Sequence, residues 1–358
     1  MEFADSAEQA DLRSAVRAFA RRHATPALVR SAMTAPAGYD HKTWERLTTE
    51  LGLTALAVPD GLGGVGAGPG EVAVAVQEFG RVLLPSPYLS SATAALVLAR
   101  ARAECPDAAE RYLPGLADGS VTGALALDAD VLADGDTING IARNVVDGAA
   151  AGLLLVRAGD DLVAVAATDA AVEPLETLDQ TRRQAAIRFD RAPAVRAGSA
   201  APAVALHRVL LAAECAAAAE HCLDVTVDYL KTRHQFGRPI GSFQALRHRA
   251  ADLAVAVSSA TATARAAVWT AAMSTGADDA AAIDTGELAM LAPLAALHCS
   301  RTFLQMAGEM IQLHGGIGFT WEHEAHLYFK RAKSTQLLLG PVSGLRAEIG
   351  GAAGLLPA

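Results

Sequence analysis

The side chains best suited to chemistry lie between Tyr229 and Leu253, in the stretch YLKTRHQFGRPIGSFQALRHRAADL. Five of the 30 lysines and arginines fall here (Lys231, Arg233, Arg238, Arg247 and Arg249) with His234 and His248, although the whole chain carries a formal charge of −9. Arginine presents a planar fork that can grip two phosphate oxygens at once. Gly237, Pro239 and Gly241 interrupt any helix approaching from either side. The pattern predicts a basic elbow between two helices, able to hold a pyrophosphate. The plainer reading is a solvated turn between amphipathic helices.

Other candidates are weaker. His314-Gly315-Gly316-Ile317-Gly318-Phe319 follows a helical pattern that ends in Gln312; glycines there ordinarily reverse the chain, but they also let backbone approach a ligand closely. The loop VPDGLGGVGAGPGEV, residues 58–72, has no strand before it and no Lys-Ser/Thr after it, so it does not read as a phosphate loop. Cys105, Cys215, Cys222 and Cys299 form no CxxC pair, so buried free thiols are expected, with no zinc site and no disulfide framework. No Ser-His-Asp or metal-ligand grouping stands out among the ten histidines, which disfavours hydrolases and metalloenzymes. His207, on an apolar helix, is either a packed imidazole or a base with an ordinary pKa near 6.5. Glu214, Glu220, Glu322 and Glu324 read as surface or capping residues.

RHQFGRPIGSFQ resembles the Arg-x-x-Phe-Gly-x-x-Ile-x-x-x-Gln signature of the acyl-CoA dehydrogenase family, and Gln312-x-x-Gly315-Gly316-x-Gly318-Phe319 resembles its second flavin motif. The resemblance implies a tetrameric FAD protein in which Arg233, Phe236, Gln244, Gln312, Gly315 and Gly316 help hold FAD, partly across a subunit interface. It implies an acyl-CoA substrate, whose α-proton goes to a carboxylate while the β-hydrogen leaves as hydride, and an electron-transfer flavoprotein as partner. The Pro59-Asp60-x-x-Gly63-Gly64-x-Gly66 loop also matches and is mainly structural in the family.

Departures from the family pattern are as informative. Relatives place the base in a Tyr-Glu-Gly-Thr run or just before an arginine 25 residues ahead of the motif arginine; these positions hold Leu339 and His207 here. The loop of Thr-Glu-Pro-x-Ala-Gly-Ser-Asp type is replaced by a shorter stretch, 127–134, and the Trp-Ile-Thr that lies against the flavin ring is replaced by Asn144-Val145-Val146. Both losses fall where relatives bind the flavin ring.

The elements that must position these residues divide the chain in three. Residues 1–118 show helical periodicity, as in Leu12, Val16 and Phe19 behind an Asp5-Ser6 cap. Residues 119–197 carry short β-type runs (VTGALALDA, AAGLLLVRA, DLVAVAA, AAIRFD) between Asp-Gly and Gly-Asp turns. Residues 198–358 return to long apolar helices. The expected fold is α+β, mostly α, like that of the acyl-CoA dehydrogenases: an N-terminal helical domain, a β-barrel-like middle and a C-terminal four-helix bundle.

A composition of 52% hydrophobic but only 5% aromatic residues suits close helix packing through alanine. The negative charge argues against nucleic-acid and anionic membrane surfaces. The N-terminus lacks a signal-type apolar core, so a cytoplasmic protein is expected. Three functions fit. The first is a degenerate subunit that completes the FAD site of a related chain, as in actinobacterial heterotetramers of steroid catabolism; the others are an active homo-oligomer using His207 and an acyl-CoA-binding scaffold without flavin.

Overall fold

The computed structural model describes residues 5–273 and 285–355. The N-terminal helices are α1 (Ala7–His23), α2 (Pro26–Thr34), α3 (His41–Thr49), α4 (Pro69–Val82), α5 (Tyr88–Ala101) and α6 (Pro106–Ala117). Ser6 caps α1 in a reciprocal box: Gln9 N donates to Ser6 Oγ at 3.2 Å and Ser6 N to Gln9 Oε1 at 3.1 Å. Buried Glu78 accepts from Arg13 at 3.1 Å and from Arg17 at 2.8 Å, tying α4 to α1. In the glycine loop, a side chain at Gly64 would collide with Val58 O, so that glycine serves close backbone packing. Every residue of α5 from Tyr88 to Leu98 is buried, so it has no amphipathic stripe by which sequence could single it out.

The middle segment folds into two stacked four-stranded sheets. The first has the order β1 (Gly123–Ala126), β4 (Leu153–Ala158), β5 (Asp161–Ala166), β8 (Val195–Ser199); the second has β2 (Ala129–Asp134), β3 (Thr137–Val146), β7 (Gln184–Pro193), β6 (Ala171–Leu175). Strand β4 shows why both faces of the first sheet are apolar. Leu153 and Leu155 join the helical core, while Leu154 and Val156 join a second core with Val131, Ile138, Ile187 and Phe189. The side-chain period of two sends alternate residues to opposite layers.

The C-terminal helices are α7 (Ala200–Thr232), α8 (Gln244–Met273), α9 (Thr285–His314), α10 (Ala325–Leu338) and α11 (Val342–Ala352). Alanine at 212, 213, 216, 218 and 219 lets α7 lie close to its neighbours, with all five residues buried. Helix α7 is long and apolar enough to cross a membrane, but 67% of its most apolar stretch is buried inside the protein. The sequence suggests one last helical segment from Glu322 through Leu339; in the structure Gly340, at φ 85°, and Pro341 break the chain, and α11 follows.

Candidate functional site

Helix α7 ends at Thr232 and the basic elbow is a tight hairpin in which His234–Gln235 pair with Arg238–Pro239. Its central residues, Phe236 at φ 53° and Gly237 at φ 76°, are both left-handed, the geometry that matches the twist of a two-residue hairpin. Phe236 is driven outward and is 90% exposed. Phe243 meets Phe236 edge-on at 6.0 Å and carries the Arg238 guanidinium 4.1 Å over its ring. Gln244 opens α8 and is exposed.

Across from the hairpin, α9 ends at His314 and Gly315 turns the chain at φ 63°. Among the described residues, a side chain at Gly315 or Gly316 would meet nothing within 4 Å. These glycines face an open cavity of about 710 Å³ lined by Tyr229, Arg233, Arg249, Gln312, Gly315 and Gly316, among others. Four of the sequence candidates are thus brought together, while Phe236 and Gln244 lie beside the cavity rather than in its lining. Among the described residues Arg233 has no ion pair and no side-chain hydrogen bond, whereas Arg249 is engaged by Glu309 at 2.7 Å. A free guanidinium beside glycines that let a ligand approach the backbone closely fits the anionic part of a dinucleotide such as FAD.

His207 and Leu339 do not line this cavity. Arg182 Nη1 donates to Thr335 Oγ1 at 3.2 Å, one turn before Leu339, and its Nη2 pairs with Glu214, two turns beyond His207. Arg331 binds the other oxygen of Glu214 at 2.9 Å and reaches Asp179 at 2.7 Å. All four charged residues are buried, from 1% exposure at Asp179 to 6% at Glu214. The cavity beside them, lined by Tyr88, Asp147, Arg182, Glu214 and Arg331, measures about 20 Å³, about the volume one water needs.

Electrostatics follow from this burial. Burial alone would raise Glu214, but the Arg182 and Arg331 guanidiniums outweigh it and hold the carboxyl below its usual range. Burial pushes Asp147 up to about 6 against the hydrogen bond from Ser90 Oγ at 2.6 Å. Burial, then the charges of Arg182 and Arg208, push His207 down to about 4, and its Nδ1 is buried without a partner among the described residues. A base that weak is poorly matched to proton abstraction near neutral pH.

The surface or capping role expected for Glu214 is therefore corrected: it joins two buried arginines. A lone carboxylate inside the alanine run LLAAECAAAAE was the available signal, because isolated charges are rarely buried unpaired. The partners Asp179, Arg182 and Arg331 were missed, since the sequence gives no hint that residues 179–182 return against α7 and α10.

The β side of the site is closed. Strands β1 and β2 are joined by Leu127 and Asp128 alone. Arg143 N donates to Asp128 O at 2.8 Å, and Asn144, at φ 52°, lies within 3.4 Å of the Asp128 carboxylate. No loop remains there to face a flavin ring, so this half does not fit the cofactor that the α7–α9 face fits.

Helices packed on one face of a double sheet, with a basic hairpin opposite a glycine turn, define one class of scaffold. Residues 6–120 match the acyl-CoA dehydrogenase N-terminal domain and residues 198–353 the acyl-CoA dehydrogenase C-terminal domain. The chain is 42% identical to acyl-CoA dehydrogenase IpdE2 of Mycobacterium tuberculosis, over 95% of both chains. It is 34% identical to acyl-CoA dehydrogenase IpdE2 of Mycolicibacterium smegmatis, over 94% of this chain and 96% of that one. Among solved structures, the ChsE4-ChsE5 complex from Mycobacterium tuberculosis superposes with a TM-score of 0.86 at 26% identity over 100% of both chains. Butyryl-CoA dehydrogenase from Megasphaera elsdenii shares the fold, with a TM-score of 0.81 at 20% identity over 99% of this chain and 100% of that one. This chain belongs to the acyl-CoA dehydrogenase family, whose members are FAD-dependent.

Proposed function

We propose that this chain is a subunit of an FAD-dependent acyl-CoA dehydrogenase that lacks a base of its own and completes the FAD site of an adjacent, related subunit. The observation that carries this reading is the contrast between its two halves. The α7–α9 face keeps an unpaired arginine and bare glycines around a large cavity, while the β1–β2 connection is only two residues long and a buried ion cluster joins α7, which carries His207, to α10, which Leu339 caps. Arg233, Gln312, Gly315 and Gly316 would hold the anionic end of FAD, with Phe236 and Gln244 at the edge of that site. When bound, FAD supplies the hydride acceptor. The solved ChsE4-ChsE5 complex supports pairing with a second dehydrogenase chain, and the similarity to a Tcur3481-Tcur3483 steroid ACAD, at 29% identity, supports a steroid-derived acyl-CoA as substrate class. An electron-transfer flavoprotein as electron acceptor and a cytoplasmic location complete the reading.

The alternative of an active homo-oligomer using His207 is disfavoured by the low pKa of that imidazole. A flavin-free scaffold is disfavoured by the retained anion site. The test is the visible spectrum and flavin-to-protein ratio of the chain purified alone and after co-expression with candidate partner dehydrogenases. Flavin is expected only in the co-purified complex; stoichiometric flavin in the chain alone would overturn the proposal.

A further inference from the structure

Arg233 and Gln312 are far apart in sequence, yet the cavity requires their segments to keep one spacing. Tyr229 lies one turn before Arg233 on α7, and its backbone oxygen accepts from Arg233 N at 2.8 Å. His314 lies two residues after Gln312, at the end of α9. The Tyr229 and His314 rings stack at 4.4 Å with planes 26° apart, so the two segments meet directly through a pair of rings that also lines the cavity. His314 is 4% exposed. Its Nδ1 donates to Met310 O at 2.7 Å, which fixes the ring within α9. His314 also packs against His323, with ring centroids 4.5 Å apart, and Arg30 Nη2 donates to the His323 carbonyl at 3.2 Å. Tyr229 has no side-chain hydrogen bond among the described residues, so its contribution is the ring face.

We propose that Tyr229 and His314 are a positioning pair that holds Arg233 in register with the Gln312–Gly316 turn, and so sets how firmly a dinucleotide is retained. This rests on the reading that FAD binds at this face. Aromatic pairs of this geometry contribute beyond their buried area, and loss of register weakens every contact the two segments make together.

The experiment uses the flavin-loaded oligomer and follows FAD release by the rise in flavin fluorescence, with melting temperature measured in parallel. Tyr229→Ala is expected to release FAD about three- to tenfold faster, the size expected for loss of one aromatic pair. Tyr229→Phe, which keeps the ring, should behave as the unmodified protein does. Arg233→Ala is the reference. If it loses FAD while Tyr229→Ala releases at the normal rate, the positioning role is overturned and the FAD site stands; if neither variant changes release, the site itself is wrong. Equal loss in Tyr229→Phe and Tyr229→Ala would also overturn the proposal, because the hydroxyl and not the stack would then matter. Should Tyr229→Ala fail to assemble, Tyr229→Leu decides: it keeps apolar bulk without a planar face, faster release is expected, and an unchanged rate refutes the pair.

Discussion

Arg182 and Glu214 form a buried ion pair: Arg182 also donates to Thr335, one turn before Leu339, and Glu214 lies two turns beyond His207 on the same helix. With Arg331 and Asp179 the pair becomes a neutral set of two guanidiniums and two carboxylates. A set like this is strong only while complete, since removing one member leaves a buried charge without its opposite charge.

Glu214→Gln should therefore destabilise the fold by about 3–5 kcal/mol, the typical cost of breaking a buried pair from one side. Denaturant titration of the purified protein checks this. A change below about 1 kcal/mol, the range of exposed pairs, would show that the cluster is hydrated in solution.

Arg233→Ala should weaken FAD retention about tenfold or more, because charge-assisted hydrogen bonds contribute about 1.5–3 kcal/mol. Arg233→Lys should restore part of the effect, since a point charge lacks the fork. Flavin content after gel filtration of the complex is the measurement.

Asp147 gives a pH dependence of definite sign. Its folded pKa, about 6, lies above the unfolded value of 3.8. The proton is thus held more tightly in the folded protein, and the associated stability is present in full below pH 3.8 and lost as pH rises through about 6. Asp147→Asn removes that loss. The variant should melt close to the parent near pH 4 and above it near pH 7.5, with the gain on the order of 1–3 kcal/mol. Because His207 is depressed to about 4, its own contribution runs the other way, falling as pH drops from 6.5 toward 4. The comparison of variant with parent cancels it.

Leu339→Glu should not create dehydrogenase activity. Leu339 is 7% exposed, and a carboxylate placed there finds Arg182 one turn away, which would hold it ionised and paired instead of free to take a proton. Removing the base of a competent partner subunit should lower turnover by about 100- to 10,000-fold. Dye reduction by the complex measures both. Gain of activity from Leu339→Glu would place flavin and substrate at this chain's own β side.

What was legible in the sequence was whatever depends on local pattern or on a spaced signature. The Ser6 cap, the short β-type runs between turns and the Arg233 and Gln312 motifs declared themselves by type and spacing. Helix α5 did not stand out, because burial on every side erases periodicity. The ion cluster was hidden for another reason: Asp179, Arg182, Glu214 and Arg331 come from a loop and two helices, and no short-range rule connects them. Glu214 alone hinted at it, as a charge inside an alanine run.

The exposed hairpin has a consequence for supply. Phe236 stands 90% exposed on a two-residue turn, and Phe319, Trp321, Leu337 and Val255 are also exposed, at 86%, 62%, 67% and 71%. Newly made copies that find no companion keep these surfaces bare and are marked for aggregation or for chaperones and proteases. The cell then benefits from making this chain in step with whatever covers it, and an excess of the chain should be short-lived even though each copy is correctly folded.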